Sequence, residues 1–137
     1  RINSALMRKI LFFIILIFST HLIQAQDQNA PSNEPIFEMK DVDEQPEFPG
    51  GIDNFYNFFY KNFKKPEVPQ LVGKIFIAFT VEIDGTLADI RSLKDPGFGT
   101  GAEAVKVLQQ SPNWIPGRKD GKKVRVNHIV PIGIHTE

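Results

Sequence analysis

Residues 111–134 read SPNWIPGRKDGKKVRVNHIVPIGI, and they decide the fold. The stretch holds the single tryptophan, Trp114, a corner at Pro116-Gly117, a turn at Asp120-Gly121, and then a run whose apolar residues recur at every second position. Val124, Val126, Val130, Ile132 and Ile134 share one parity, and Arg125, Asn127 and Gly133 the other. That is a strand with one face on a core. His128 alone breaks the apolar parity, which makes it a core or interface histidine. Pro131 has no N–H for a ladder, so it predicts a strand at a sheet edge with that position turned away from its neighbour. An edge strand is an open template for another chain. The backbone and side chains of Lys123, Val124, Arg125, Val126, Asn127, His128, Ile129 and Val130 are therefore the expected partner-binding residues.

A second strand is clearer still. From Gly73 to Ile83, Ile75, Ile77, Phe79, Val81 and Ile83 alternate with Lys74, Phe76, Ala78, Thr80 and Glu82, and Asp84-Gly85 supplies the positive φ that a tight hairpin turn needs. The returning strand, residues 86–94, spaces Leu87, Ile90 and Leu93 by three, which a β-bulge reconciles. Two helices flank this hairpin. Ile52, Phe55, Tyr56, Phe59 and Phe63 form an aromatic stripe at helical spacing, behind the irregular Gln45-Pro46-Glu47-Phe48-Pro49-Gly50-Gly51 and ahead of Pro66. Six aromatic residues between Phe55 and Phe63 are more than one face holds, so this helix is read as wedged into the core, with Trp114 packing the corner beneath it. Thr100 and Glu103 form a capping box for a second helix that Pro112 ends. The expected fold is α+β, ordered helix, strand, strand, helix, strand, with two helices on one face of a three-stranded antiparallel sheet. The strand at residues 73–83 is its centre.

Ahead of the domain, Arg1 to Leu6 are read as upstream residues, and Met7 opens an export signal with a positive start at Arg8-Lys9, an apolar run and a cleavage point after Ala25. Residues 26–40 read as a short flexible leader containing the apolar Ile36, Phe37 and Met39, and residues 41–137 as one domain. Without cysteine there is no disulfide, thiolate metal site or lipid-modified cysteine. The chain has 16 basic and 16 acidic side chains; removing Arg1, Arg8 and Lys9 with the signal leaves a net charge of −3, which gives no reason to expect nucleic acid. The charge is segregated. Residues 27–53 carry eight acidic residues and only Lys40, whereas residues 118–125 carry Arg118, Lys119, Lys122, Lys123 and Arg125 against Asp120. The two stretches read either as solvated surfaces that attract each other or as a basic rim beside the binding edge.

Constellations for chemistry fail on context. Gly97-Phe98-Gly99-Thr100-Gly101-Ala102 mimics a dinucleotide fingerprint but follows the second arm of a hairpin rather than a parallel βαβ strand. Asp41-Val42-Asp43-Glu44 lacks the glycine and closing glutamate of a calcium loop. His128 and His135 have opposite parity, and His21 lies in the signal. Ser92 and Ser111 have no nucleophile elbow. No enzyme, metal or cofactor is expected.

With Gln45, Pro46, Phe48, Pro49, Gly50 and Gly51 ahead of an aromatic helix, Gly73-Lys74-Ile75 opening a strand that ends Val81-Glu82-Ile83-Asp84-Gly85, and the run from Ser111-Pro112-Asn113-Trp114-Ile115-Pro116-Gly117 through Gly121-Lys122-Lys123-Val124-Arg125-Val126 to Pro131-Ile132, the chain resembles the C-terminal domain of the TonB family. The likeness covers about residues 41–134. It implies a periplasmic, non-catalytic module of TonB-dependent transmembrane transport, which receives an extended segment of an outer-membrane receptor along the last strand by β-strand addition. It also implies structural roles for the residues of its motifs, including Gly85, Trp114, Pro116 and Gly121. Retention of the signal segment would instead hold the domain at the inner membrane. The second reading is a stand-alone envelope assembly protein that forms a homodimer through the same edge, without energy transduction.

Overall fold

The computed structural model describes residues 3–10 and 33–137. Residues 4–10 are helical; most of the segment read as an export signal lies outside the described residues. No helix among the described residues is long and apolar enough to cross a membrane. Glu34–Glu137 form a compact unit of their own.

That unit runs β1 (Ile36–Glu38), a 3₁₀ turn (Met39–Asp41), α1 (Ile52–Asn62), β2 (Val72–Val81), β3 (Leu87–Lys94), α2 (Thr100–Gln109), β4 (Gly117–Lys119) and β5 (Lys122–His135). The strand order is β1-β5-β2-β3, with β4 also paired to β5. The α+β class and the central place of β2 agree with the alternation in the sequence. The three-stranded antiparallel sheet does not: it is the middle of a mixed five-stranded one. β1 pairs parallel to β5 and comes from the segment read as a leader; β4 forms a hairpin with β5. Each added strand is three residues long, too short to show a period.

β2 and β5 pair without a break from Val72↔His135 to Val81↔Val126. Opposed pairs Ile75↔Ile132, Ile77↔Val130 and Val81↔Val126 put their side chains on one face, where all six are at most 2 % exposed. Phe55 and Phe59 of α1 and Ala104, Val107 and Leu108 of α2 close over that face, so both helices lie on one side as the patterning predicts. Burying a side chain such as Phe55 or Phe59 contributes about 1.5–3 kcal/mol. The pairing of β2 with β3 slips twice, between Phe76 and Ile77 and between Ala78 and Thr80, which is how Leu87 and Ile90 both reach the core despite their spacing.

Two local devices fix this arrangement. Gly85 has φ +85°, and a Cβ there would lie 2.1 Å from the Trp114 carbonyl oxygen; the bare glycine lets its own carbonyl accept the Trp114 N–H at 2.8 Å. Trp114 is thereby set among Phe48, Phe55 and Phe79, with ring centroids 5.2–5.7 Å away. The second device departs from expectation. Thr100 is the first residue of α2 rather than its cap; Gly99 holds the cap position, and no side chain caps the helix. The Thr100 hydroxyl turns back to the Gly97 carbonyl at 2.7 Å, while the Asp95 carboxylate accepts from the Gly97 N–H at 2.7 Å and the Ser92 hydroxyl at 3.1 Å. Asp95 therefore organises the turn that the capping box was expected to organise.

Candidate functional site

In an antiparallel pair, alternate residues direct their N–H and C=O toward the neighbouring strand. The two-residue turn at Asp120-Gly121, with φ +51° and +76°, makes Lys119 and Lys122 the closing pair of the β4–β5 hairpin. Lys122 and Val124 thus bond toward β4, and Val126, His128 and Val130, on the same parity, toward β2. Lys123, Arg125, Asn127, Ile129, Pro131 and Gly133 direct their backbone to the opposite edge. Of the eight expected partner-binding residues, Val124, Val126, His128 and Val130 therefore offer no backbone group to that edge. Only Lys123, Arg125, Asn127 and Ile129 do.

That edge is not open along its length. β1 lies on it, with Ile36↔Arg125, Phe37↔Val126 and Glu38↔Asn127 in register. In this parallel ladder Phe37 is the residue whose N–H and C=O reach Arg125 and Asn127. At the far end, the hydroxyl of Tyr56 donates to the Pro131 carbonyl at 3.0 Å, and that of Tyr60 to the Gly133 carbonyl at 2.9 Å. Pro131 has no N–H to offer. Between Glu38 and these tyrosine hydroxyls lies Ile129, its side chain 47 % exposed on the face away from the helices. Tyr56 and Tyr60 were invisible as site residues in the sequence, where Tyr56 counted as part of the aromatic stripe and Tyr60 as surplus to a core helix.

After β1 the chain turns away at the 3₁₀ turn, and a cavity of about 250 Å³ lies between that segment and His128 of β5. Met39, Pro46, Phe48, Ile52, Trp114 and His128 line it, together with the polar Gln45 and Glu47. His128 stands edge-on to Phe79 and Trp114, with centroids 5.4 and 5.9 Å away. Burial pushes its imidazole below the ordinary histidine pKa, so it is neutral at pH 7. A neutral ring among mostly apolar walls, with Gln45 and Glu47 as the polar exceptions, suits a largely apolar side chain.

The charge segregation resolves into contact. After β1, the acidic stretch runs along the basic rim: Arg118 Nε lies 3.7 Å from a Glu44 carboxylate oxygen, Lys119 Nζ donates to the Asp41 carbonyl at 2.7 Å, and the Asp120 N–H donates to the Asp43 carboxylate at 2.7 Å. Backbone bridges join Glu44 to Arg118 and Glu47 to Ile115. Arg125 makes a two-pronged pair with Glu82, at 2.7 and 2.9 Å, and also donates to the Glu34 carbonyl at 3.0 Å. Of the remaining motif residues, Phe48 is buried against Trp114, and Gly50 and Gly51, with φ +82° and +96°, carry the chain into α1. Gln45 donates from its side-chain amide to the Met39 carbonyl at 3.2 Å, which closes the 3₁₀ turn. No group of three metal-ligating side chains assembles among the described residues.

A mixed sheet backed by two helices, with its last strand paired to β1 on one side and β2 on the other, is a small α+β domain. Residues 70–133 match the family described as Gram-negative bacterial TonB protein C-terminal, and the chain carries a domain of that family. The match begins just ahead of β2 and ends within β5, so β1 and α1 precede it. No curated protein matches the chain.

Proposed function

We propose that the domain is a periplasmic interaction module that receives an extended segment of an outer-membrane receptor on the β5 edge, in TonB-dependent transmembrane transport. One observation carries the reading: Ile129 directs its backbone donor and acceptor to an edge, and its chain neighbour His128 lines a cavity able to take a side chain. The family match supports it. Backbone hydrogen bonds would supply attraction, and the cavity over Trp114 and His128 selectivity. Periplasmic placement rests on the same match, and the domain works by binding, without catalysis.

The test is a photo-cross-linking residue at Ile129 in the chain expressed in its native envelope, with adducts identified by mass spectrometry. The expected adduct is the periplasm-facing segment of an outer-membrane receptor. Adducts with inner-membrane or soluble proteins alone would refute the reading.

A further inference from the structure

The edge that receives the partner in this account is held by the chain's own segment. β1 fills the ladder at Arg125 and Asn127. Past Ile129 the ladder cannot continue, because Pro131 lacks a donor and Tyr56 and Tyr60 occupy the next two edge carbonyls. A partner strand limited to Ile129 would have one residue to pair with, too few for a specific strand addition. The room for a longer one is the slot of β1.

We infer that β1, with the acidic strap behind it, is an internal stand-in for the partner, which engages the edge only by displacing it. The inference rests on the reading of β5 as the partner-binding strand. The contacts of β1 then describe what fits. They are an extended segment parallel to β5, an apolar side chain where the Phe37 ring sits 5.6 Å from Lys119 Nζ, and an acceptor where the Glu38 carboxylate faces the Asn127 amide at 3.4 Å. A carbonyl must also meet the Arg125 guanidinium, as that of Glu34 does. The partner of that chemistry is an acidic, apolar, extended peptide. β1 itself is built to be released: it is three residues long, Ile36 is 50 % exposed, and Glu38 is exposed. A short strand with solvent-exposed side chains opens at low cost.

The test uses the full chain and a fluorescent synthetic peptide of residues 33–41, NEPIFEMKD. Phe37→Pro in the chain removes the N–H that β1 gives to β5 and frees the slot. The peptide is expected to bind the F37P chain at least tenfold more tightly than the native chain, with amide shifts confined to residues 125–129. Equal affinity for the two chains, or shifts elsewhere, overturns the inference. Amide hydrogen exchange on the native chain gives a second readout that needs no variant. The Asn127 amide, bonded to β1, is expected to exchange at least tenfold faster than the Val126 and Val130 amides, which bond to β2; equal protection would show that β1 is a permanent part of the sheet. These results are separate from the cross-link at Ile129. A tenfold effect with no receptor adduct keeps the strap and removes the receptor reading, and the reverse pair of results does the opposite.

Discussion

The hydroxyl of Tyr56 donates to the carbonyl of Pro131 at 3.0 Å, so a helix residue covers the acceptor at the one edge position of β5 that has no donor. Tyr60 repeats the contact one turn later at Gly133. An edge strand left bare is a site for unwanted pairing. Here proline and two phenols close it beyond Ile129.

Tyr56→Phe and Tyr60→Phe should each lower stability by about 1 kcal/mol, the net worth of a hydrogen bond. With both replaced, self-association should rise because two edge carbonyls are exposed. Urea denaturation reads the first effect and sedimentation velocity the second. Tyr60 adds a pH test: burial raises its phenol pKa, so stability is full below the ordinary tyrosine value near 10 and falls as pH rises through the folded-state value. In Tyr60→Phe that alkaline loss should shrink.

Trp114→Ala should cost about 3–5 kcal/mol, as for other buried large aromatics. Its ring meets four others, and its N–H side donates to Ser111 at 3.1 Å. Far-UV circular dichroism during thermal unfolding measures the change. A melting temperature within a degree or two of the native one would place Trp114 outside the core.

Gly85→Ala should destabilise although it adds one methyl group. The residue has φ +85°, and its new carbon would sit 2.1 Å from the Trp114 carbonyl oxygen. Strain of this kind costs about 1–3 kcal/mol before the clash is counted. Gly121→Ala, where a Cβ meets nothing within 4 Å, should cost less, although its φ is +76°. Parallel urea titrations rank the two.

How far the sequence carries depends on segment length. β2 and β5 are ten and fourteen residues long, and their alternation is visible because one face is buried. The aromatic stripe of α1 was equally readable from Phe55 and Phe59. The parity of β5 placed His128 inward correctly; Pro131 marked a locally unpaired stretch, but the strand as a whole is not at the sheet edge, because β1 pairs with it at residues 125–127. Which stretch of edge was free lay beyond sequence reasoning, because it depends on β1, whose three residues Ile36, Phe37 and Glu38 show no pattern. The hairpin signal for β4 was present at Asp120-Gly121; the glycine and two cations of β4 hid the strand itself. Tyr56 and Tyr60 belong to the site through hydrogen bonds across 75 and 73 positions of sequence, which no local pattern encodes.

His128 should make stability pH-dependent in a defined window. Its folded-state pKa is lowered by burial, so the unfolded chain binds the proton first as pH falls. Stability is full above the unfolded value near 6.5, declines as pH drops through that value and levels off below the folded one. His128→Phe should flatten the decline between pH 7 and pH 5. Urea midpoints at half-unit pH steps test this; an unchanged slope in the variant would assign the decline to other groups.

The most direct test of the central claim is an amide-resolved NMR titration of the domain with a synthetic peptide of the receptor segment cross-linked from Ile129. Shifts should concentrate at Arg125, Asn127 and Ile129, with the Trp114 indole and His128 ring responding as the cavity fills. Shifts along the opposite edge of the sheet, at residues 87–94 of β3, with β5 silent, would contradict the account.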